Sequence, residues 1–259
     1  MRIVREPEIY LLGRQAVDEQ EVARFLANQG ATWTTDSDVP GEQLAELAGR
    51  TCYMSFGQGR KTNAEYLGNI IERQHGSVLE HAVWNFLITG VSRSFTHELV
   101  RHRAGTAFSQ LSQRYVDEST ADFVEPAIIA SDPELHMTWL EAIEVAHQAY
   151  RRLADGLTAR IEAQYAYLPK THRRKMAREA ARSVLPNATE TKIFFSCNAR
   201  ELRHIIELRG DEGAEPEIRR FAVKLLRIMQ REAPNLFGDF TIYTLIDGSE
   251  AVRSRHHKV

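Results

Sequence analysis

Three arginines fall within fourteen residues at Arg101, Arg103 and Arg114, interleaved with His102, Ser109, Gln110, Ser112 and Tyr115. A guanidinium presents a fixed fork of donors that fits a phosphate, and serine hydroxyls add short hydrogen bonds to the same oxygens. The cluster predicts an anion site, against the plainer alternative of a solvated basic loop. Two other positions favour the site. Arg209 falls on the helical stripe of Leu202, Ile205 and Ile206, about one turn beyond Ile205. An arginine on that face either snorkels past the helix end or meets an anion or carbonyl, because arginine cannot shed an unpaired buried charge. Arg182, in a separate predicted helix, is placed to join it. Asn198-Ala199-Arg200 opens a helix, where free amides and the positive dipole end attract a phosphate or an electron-rich ring edge. Ordinary capping is the commoner use of such an asparagine. Arginine-centred elements spread this widely predict a ligand with more than one anionic or carbonyl-rich part, and a nucleotide pair fits.

Other motifs fail on spacing. Residues 57–62 read Gly-Gln-Gly-Arg-Lys-Thr, but Arg60 stands where a phosphate loop needs glycine, as does Ser55 earlier. No GxGxxG follows a strand, so a Rossmann unit has no support. His75, Glu80 and His81 match neither zinc-protease spacing, and no metal site is expected. His256 and His257 lie in a basic tail and read as solvated.

These residues need elements to hold them. Thr62 with Glu65 reads as a capping box for a helix through Tyr66, Leu67, Ile70 and Ile71, ending at His75 before Gly76. Residues 81–95 are rich in β-branched and aromatic types and predict a strand, followed by a short helix over 96–103 that Gly105 terminates. From Pro133 the pattern is helical, and a basic helix over 170–182 is stopped by Pro186. A helix from Asn198 to Gly210 and an amphipathic one opened by Pro216 complete the set. The predicted fold is α+β, an antiparallel sheet core flanked by long helices in one elaborated domain over residues 1–259. Residues 31–41 are the one candidate linker and are too short to divide it.

The chain has 259 residues, 43% hydrophobic and 26% charged, with 15 Gly and 8 Pro, which excludes disorder and repeat architectures. Net charge is −2, so nothing global draws it to nucleic acid or an anionic membrane. Apolar runs fall short of a membrane span, and the charged start is unlike a signal peptide, so a cytoplasmic protein is expected. Cys52 and Cys197 lack CxxC spacing and are expected to be reduced, buried thiols.

Read in order, His75-Gly76-Ser77-Val78-Leu79-Glu80-His81, the stretch RHRAGTAFSQLSQRY over 101–115, RSVLP from Arg182 and NARELRHIIELR from Asn198 resemble the flavin-dependent thymidylate synthases, the thymidylate synthase complementing proteins. The resemblance covers roughly residues 52–230. That family's signature is Arg-His-Arg, seven residues, then Ser. Here eight residues, Ala104 to Leu111, separate Arg103 from Ser112. The extra residue is placed among Ala104 to Phe108.

The resemblance implies a homotetramer with active sites between subunits, taking dUMP, FAD, 5,10-methylenetetrahydrofolate and NADPH, with no nucleic acid or membrane partner. Carried over by position, it assigns His75, Ser77, Arg101, His102, Arg103 and Gln110 to the flavin, together with Asn198, Ala199, Arg200 and His204. It assigns Glu98, Leu99, Val100, Arg101 and Gln110 to dUMP, with Leu111, Ser112, Gln113, Arg114 and Arg182. Arg209 is the catalytic cation facing uracil, where a fixed positive charge at N3 and O4 favours the enolate-like ring and raises electron density at C5. A flavin hydride then replaces a protein nucleophile. The rival expectation is a non-catalytic RNA or polyanion binder that uses the basic helix 170–182.

Overall fold

The computed structural model describes residues 1–257 and 259. In chain order its elements are β1 (Ile3–Val4), β2 (Glu8–Arg14), α1 (Glu19–Gln29), α2 (Pro40–Tyr53), α3 (Asn63–Glu72), β3 (Val83–Ser92), α4 (Arg93–Leu99) and β4 (Thr106–Gln110). There follow β5 (Phe123–Val124), α5 (Ala127–Ala130), α6 (Pro133–Gln164), α7 (Lys170–Ala181), β6 (Glu190–Asn198), α8 (Ala199–Arg209), α9 (Pro216–Glu232), α10 (Pro234–Phe237), β7 (Phe240–Thr244) and β8 (Glu250–Ser254). The fold is α+β with an antiparallel sheet of order β2-β3-β6-β4. Two small pairs stand apart from it: β7 with β8, antiparallel, and β1 with β5, which is parallel. No helix among the described residues is long and apolar enough to cross a membrane.

The chain divides into two compact units, Met1–Glu8, Ile88–Leu99 and Ser109–Ile193 in one, and Ile9–Leu87, Val100–Phe108 and Phe194–Val259 in the other. The boundary falls within β3, β4 and β6. In the first unit Phe123 and Ile143 centre a small core with Ala121, Trp139 and Ala188. In the second, Phe195 stacks between Phe86 and Phe108, at 6.0 and 5.3 Å between ring centroids. The apolar stripe of α9, Ile218, Phe221, Leu225, Leu226 and Met229, is fully buried. That burial is the chief stabilising term for a helix whose other face is charged.

The helix starts follow their caps. The Glu65 amide donates to Thr62 Oγ1 at 3.2 Å, and the Glu201 amide donates to Asn198 Oδ1 at 2.9 Å. Helix ends differ more from expectation. α3 stops at Glu72, not His75, because Gln74 takes a left-handed backbone with φ +59°. The helix expected over 96–103 lies at Arg93–Leu99, since Ser92 Oγ accepts from the Phe95 amide at 3.0 Å and starts it early. β3 ends at Ser92 accordingly. Gly105 therefore does not end that helix, and its φ of +66° serves the site itself.

Candidate active site

The second unit builds one half of the assigned residues around the start of α8. β6 delivers Asn198 as the cap, so α8 opens at the buried Ala199 and the exposed Arg200. The Asn198 amide donates to Gly105 O at 3.0 Å, and a Cβ on Gly105 would lie 2.2 Å from Asn198 Nδ2. Only glycine fits this approach. Thr106 Oγ1 closes the turn by donating to His102 O at 2.7 Å. The Arg101-His102-Arg103 loop is thus fastened to the first turn of α8, with His102 buried and Arg101 and Arg103 exposed.

His102 joins the two ends of that helix. The Arg209 Nε–H donates to His102 Nε2 at 3.0 Å, and His102 Nδ1 lies 2.9 Å from Glu201 Oε1. A donor facing Nε2 requires a lone pair there, so the ring proton sits on Nδ1 and is donated to the carboxylate. The imidazole is 5% exposed, and its two bonds fix both its orientation and that of the Arg209 guanidinium. Arg209 is half-buried on the inward face, as its helical phase predicts. His102, Glu201 and His204 also bring ligand atoms within 4.8 Å of one another. With both His102 nitrogens engaged, the hydrogen-bonded chain runs Glu201–His102–Arg209, and His204 meets it by an edge-on ring contact 5.5 Å from His102.

A cavity of about 400 Å³ opens beside this chain, bordered by Glu80, Gly105, Asn198, Arg200, Glu201 and His204. A second, of about 730 Å³, shares His204 and is bordered by Arg209, Tyr243 and Arg253. Arg200 reaches Glu80 at 2.6 Å across the first. His75 and Ser77 are exposed, and Gly76 between them is held by close approach, its Cβ position being 2.6 Å from Val259 and 2.9 Å from Arg200 Nε. His256, expected in solvent, is half-buried and lines the first cavity, while His257 is exposed and meets Glu207 at 2.7 Å. Val100, at 36% exposed, is also in this unit.

The first unit holds the other assigned residues. Gln110 Nε2 donates to Thr96 Oγ1 at 3.0 Å, and Ser112 opens a turn that receives the Tyr115 amide at 3.1 Å. Arg114 is half-buried, 3.9 Å from Glu179. Leu99 and Gln113 are buried, Glu98 and Leu111 half-buried, and Arg182 exposed.

Three residues escaped the sequence reading. Glu201 stands three residues after the Asn198 cap, where an acid ordinarily serves the helix start, yet its carboxylate serves His102, a partner 99 positions away. Arg93 was read as strand, but its Nη2 donates to Leu111 O at 2.8 Å, just ahead of Ser112. Burial holds the Arg93 guanidinium below its ordinary range, opposed by Glu118 and reinforced by Arg182. Arg203, inside α8, is 2% exposed, forked onto Asp239 at 2.6 and 2.8 Å and placed 4.7 Å over the Phe240 ring. Its position on the buried stripe next to Leu202 was the available signal.

Cys197 is buried, and Cys52, expected to be buried, is exposed near the end of α2. Burial pushes the Cys197 thiol well above its ordinary range, and the neighbouring Glu201 charge adds to the effect. A thiol so held is a poor nucleophile.

Residues 36–235 match the family described as thymidylate synthase complementing protein. The chain is 48% identical over 234 residues to the flavin-dependent thymidylate synthase of Mycobacterium marinum, covering 89% of this chain and 91% of the relative. It is 47% identical over 233 residues to that of Mycolicibacterium gilvum and 47% over 234 to that of Mycobacterium tuberculosis, with the same shares of each chain. The matched span contains the Arg-His-Arg loop, the Ser112 segment and all of α8. This chain belongs to the thymidylate synthase complementing protein family.

Proposed function

We propose that this chain methylates dUMP to dTMP, taking the carbon from 5,10-methylenetetrahydrofolate and yielding tetrahydrofolate. FAD is the hydride carrier and NADPH its reductant. The observation that carries the reading is the Glu201–His102–Arg209 chain beside the α8 start, which fixes a permanent cation at the edge of a cleft. Arg209 meets the N3 and O4 edge of uracil and favours its enolate-like form, without a proton having to move on the protein. His102 and Glu201 hold that guanidinium in register.

The cleft residues suit a flavin. Gly105 leaves room where a side chain would collide with Asn198, and the helix start, Arg200 and His204 border a 400 Å³ space with donors for phosphate or ring carbonyls. His75, Ser77, Arg101, His102, Arg103, Gln110, Asn198, Ala199, Arg200 and His204 are the residues that would hold it. When bound, FAD supplies the hydride that turns a methylene into a methyl. Glu98, Leu99, Val100, Arg101, Gln110, Leu111, Ser112, Gln113, Arg114 and Arg182 take dUMP, the arginines at phosphate and the Ser112 hydroxyl as a donor. Residues 1–259 act as one catalytic domain, assembled in the cytoplasm as a homotetramer with active sites between subunits.

The polyanion-binding alternative loses ground on α7. Arg173 donates to the carbonyls of Ala166 and Leu168, and Arg178 donates to Tyr115 O at 2.6 Å and Asp117 at 3.2 Å. Two of its basic side chains are occupied within the chain.

Denatured protein is expected to release FAD, or the apoprotein to quench the fluorescence of added FAD. The flavin-loaded protein should form dTMP from dUMP, NADPH and methylenetetrahydrofolate. Absence of flavin binding at micromolar concentration, or a colourless protein carrying nucleic acid, overturns the reading.

A second expectation concerns the thiols. With hydride delivery in place of covalent activation, Cys52→Ser combined with Cys197→Ser retains dTMP formation, with some stability lost at the buried site. A folded double variant that binds FAD and dUMP but makes no dTMP reveals a cysteine nucleophile.

A further inference from the structure

The stretch 57–62, unused by the site above, joins α2 to α3 and borders a cleft of about 330 Å³ with Thr32, Trp33, Thr34 and Arg50. It lacks the strand and both fixed glycines of a nucleoside-triphosphate loop, whose places are taken by Ser55 and Arg60. Its shape is set by Arg50, which is 3% exposed, pairs with Glu46 at 2.7 Å and lies 4.5 Å over the Tyr66 ring. The same guanidinium takes the carbonyls of Ser55, Gln58 and Arg60 at 3.1, 3.2 and 2.9 Å.

This capture changes what the loop offers a ligand. Carbonyls that would repel an anion are turned onto Arg50. In a trans peptide the amide on the opposite edge points the other way, so the Gly59 amide faces away from the guanidinium. The amides of Gly57, Gly59 and Arg60 donate to no protein acceptor among the described residues. Gly57 and Gly59 hold φ of +68° and +76° on either side of Gln58, whose φ is negative, and such alternation of hand turns successive amides toward a common anion.

The side chains around the cleft agree. Arg60 and Lys61 are exposed and form no ion pair among the described residues, while the Arg50 charge is offset by Glu46. No carboxylate lines the cleft. The nearby acids are engaged at its margin, Glu65 accepting the Lys61 amide at 3.3 Å and Asp36 the Asn63 amide at 2.7 Å. Trp33 is half-buried, and its Nε1 donates to Glu46 at 3.2 Å, which holds the indole as a fixed flat face.

We propose that this cleft binds the 2′-phosphoadenosine end of NADPH, with the phosphate on Arg60, Lys61 and the loop amides and the base against Trp33. The inference rests on the reading above that a nicotinamide nucleotide reduces the flavin. A phosphate monoester has three terminal oxygens to meet a fork, an ammonium and amides together, and a purine ring uses the indole face. Arginine beside a 2′-phosphate is the usual way a protein selects NADPH over NADH. The cleft is thus the specificity element for the reductant, separate from the Arg209 chain.

Calorimetry on the flavin-loaded protein with 2′,5′-ADP and 5′-AMP tests the site directly. Losing a charge-assisted contact weakens binding roughly 10- to 100-fold. Wild type should prefer 2′,5′-ADP by at least about tenfold, and Arg60→Ala with Lys61→Ala should abolish that preference. In the same variant KM for NADPH should rise about tenfold or more while KM for NADH moves less than about twofold. Flavin absorbance and Tm should stay unchanged, and Lys61→Glu should give the larger loss. Equal affinity for the two ligands in wild type overturns the proposal. So does a preference retained in the variant, or parallel rises in both KM values. The two readings fail separately. Wild type that forms no dTMP with either reductant sinks the thymidylate assignment, whereas dTMP formation indifferent to Arg60 and Lys61 sinks only this site.

Discussion

Arg209→Lys is expected to keep its flavin and lose roughly a hundredfold to a thousandfold in dTMP formation, about 2.7–4 kcal/mol of transition-state stabilisation. Lysine keeps the charge but not the planar fork that lets Nε bind His102 while the rest of the guanidinium addresses the pyrimidine. An ammonium on a flexible stem cannot serve both partners in fixed geometry. Arg209→Ala should lose at least as much. The check is to compare NADPH-driven flavin reduction with methyl transfer in both folded variants. Flavin reduction should be largely spared, because Arg209 is assigned to the pyrimidine. Equal slowing of both steps would make Arg209 a flavin ligand or a structural group, and no slowing would mean that it takes part in neither step.

The largest stability effect is expected at Arg203. Its guanidinium is buried against Asp239, the Leu236 carbonyl at 2.6 Å and the Phe240 ring. Arg203→Met removes one partner and leaves a carboxylate with 13% of its side chain exposed, a change that typically costs about 3–5 kcal/mol. In a chain of this size that lowers Tm by roughly 10 °C. Arg203→Met combined with Asp239→Leu should recover much of the loss, because the desolvation of both charges is then avoided. Differential scanning calorimetry of the single and double variants decides it. A single variant within about 1 kcal/mol of wild type would show that the pair contributes little net stability.

Local signals in the sequence were reliable where the physics was local. Thr62, Asn198 and Pro216 open helices because a side-chain oxygen or a fixed φ acts within one turn of its own position. The inward phase of Arg209 follows from helical geometry alone. The ordered motifs carried the family, because they preserve chemistry at fixed spacing over most of the chain. Where a competing local bond exists, the same reasoning slips. Ser92 captures the Phe95 amide and moves a helix start, and Gln74 ends α3 before Gly76.

Tertiary structure decided the partnerships. Composition allowed Glu201 to be a capping residue, and only the return of the Arg-His-Arg loop to α8 made it the acceptor for His102, which in turn fixes the ring proton and aims Arg209. The two α8 arginines show the same division. Arg203 and Arg209 both fall on the inward side of α8, yet Arg203 meets Asp239 and becomes a strut, while Arg209 meets a neutral imidazole and a cleft. Helical phase is set by bonds spanning four residues, and so the sequence determined which face each arginine takes. What waits on that face is supplied by segments 36 and 107 positions away, and the energy of a buried charge depends on that partner.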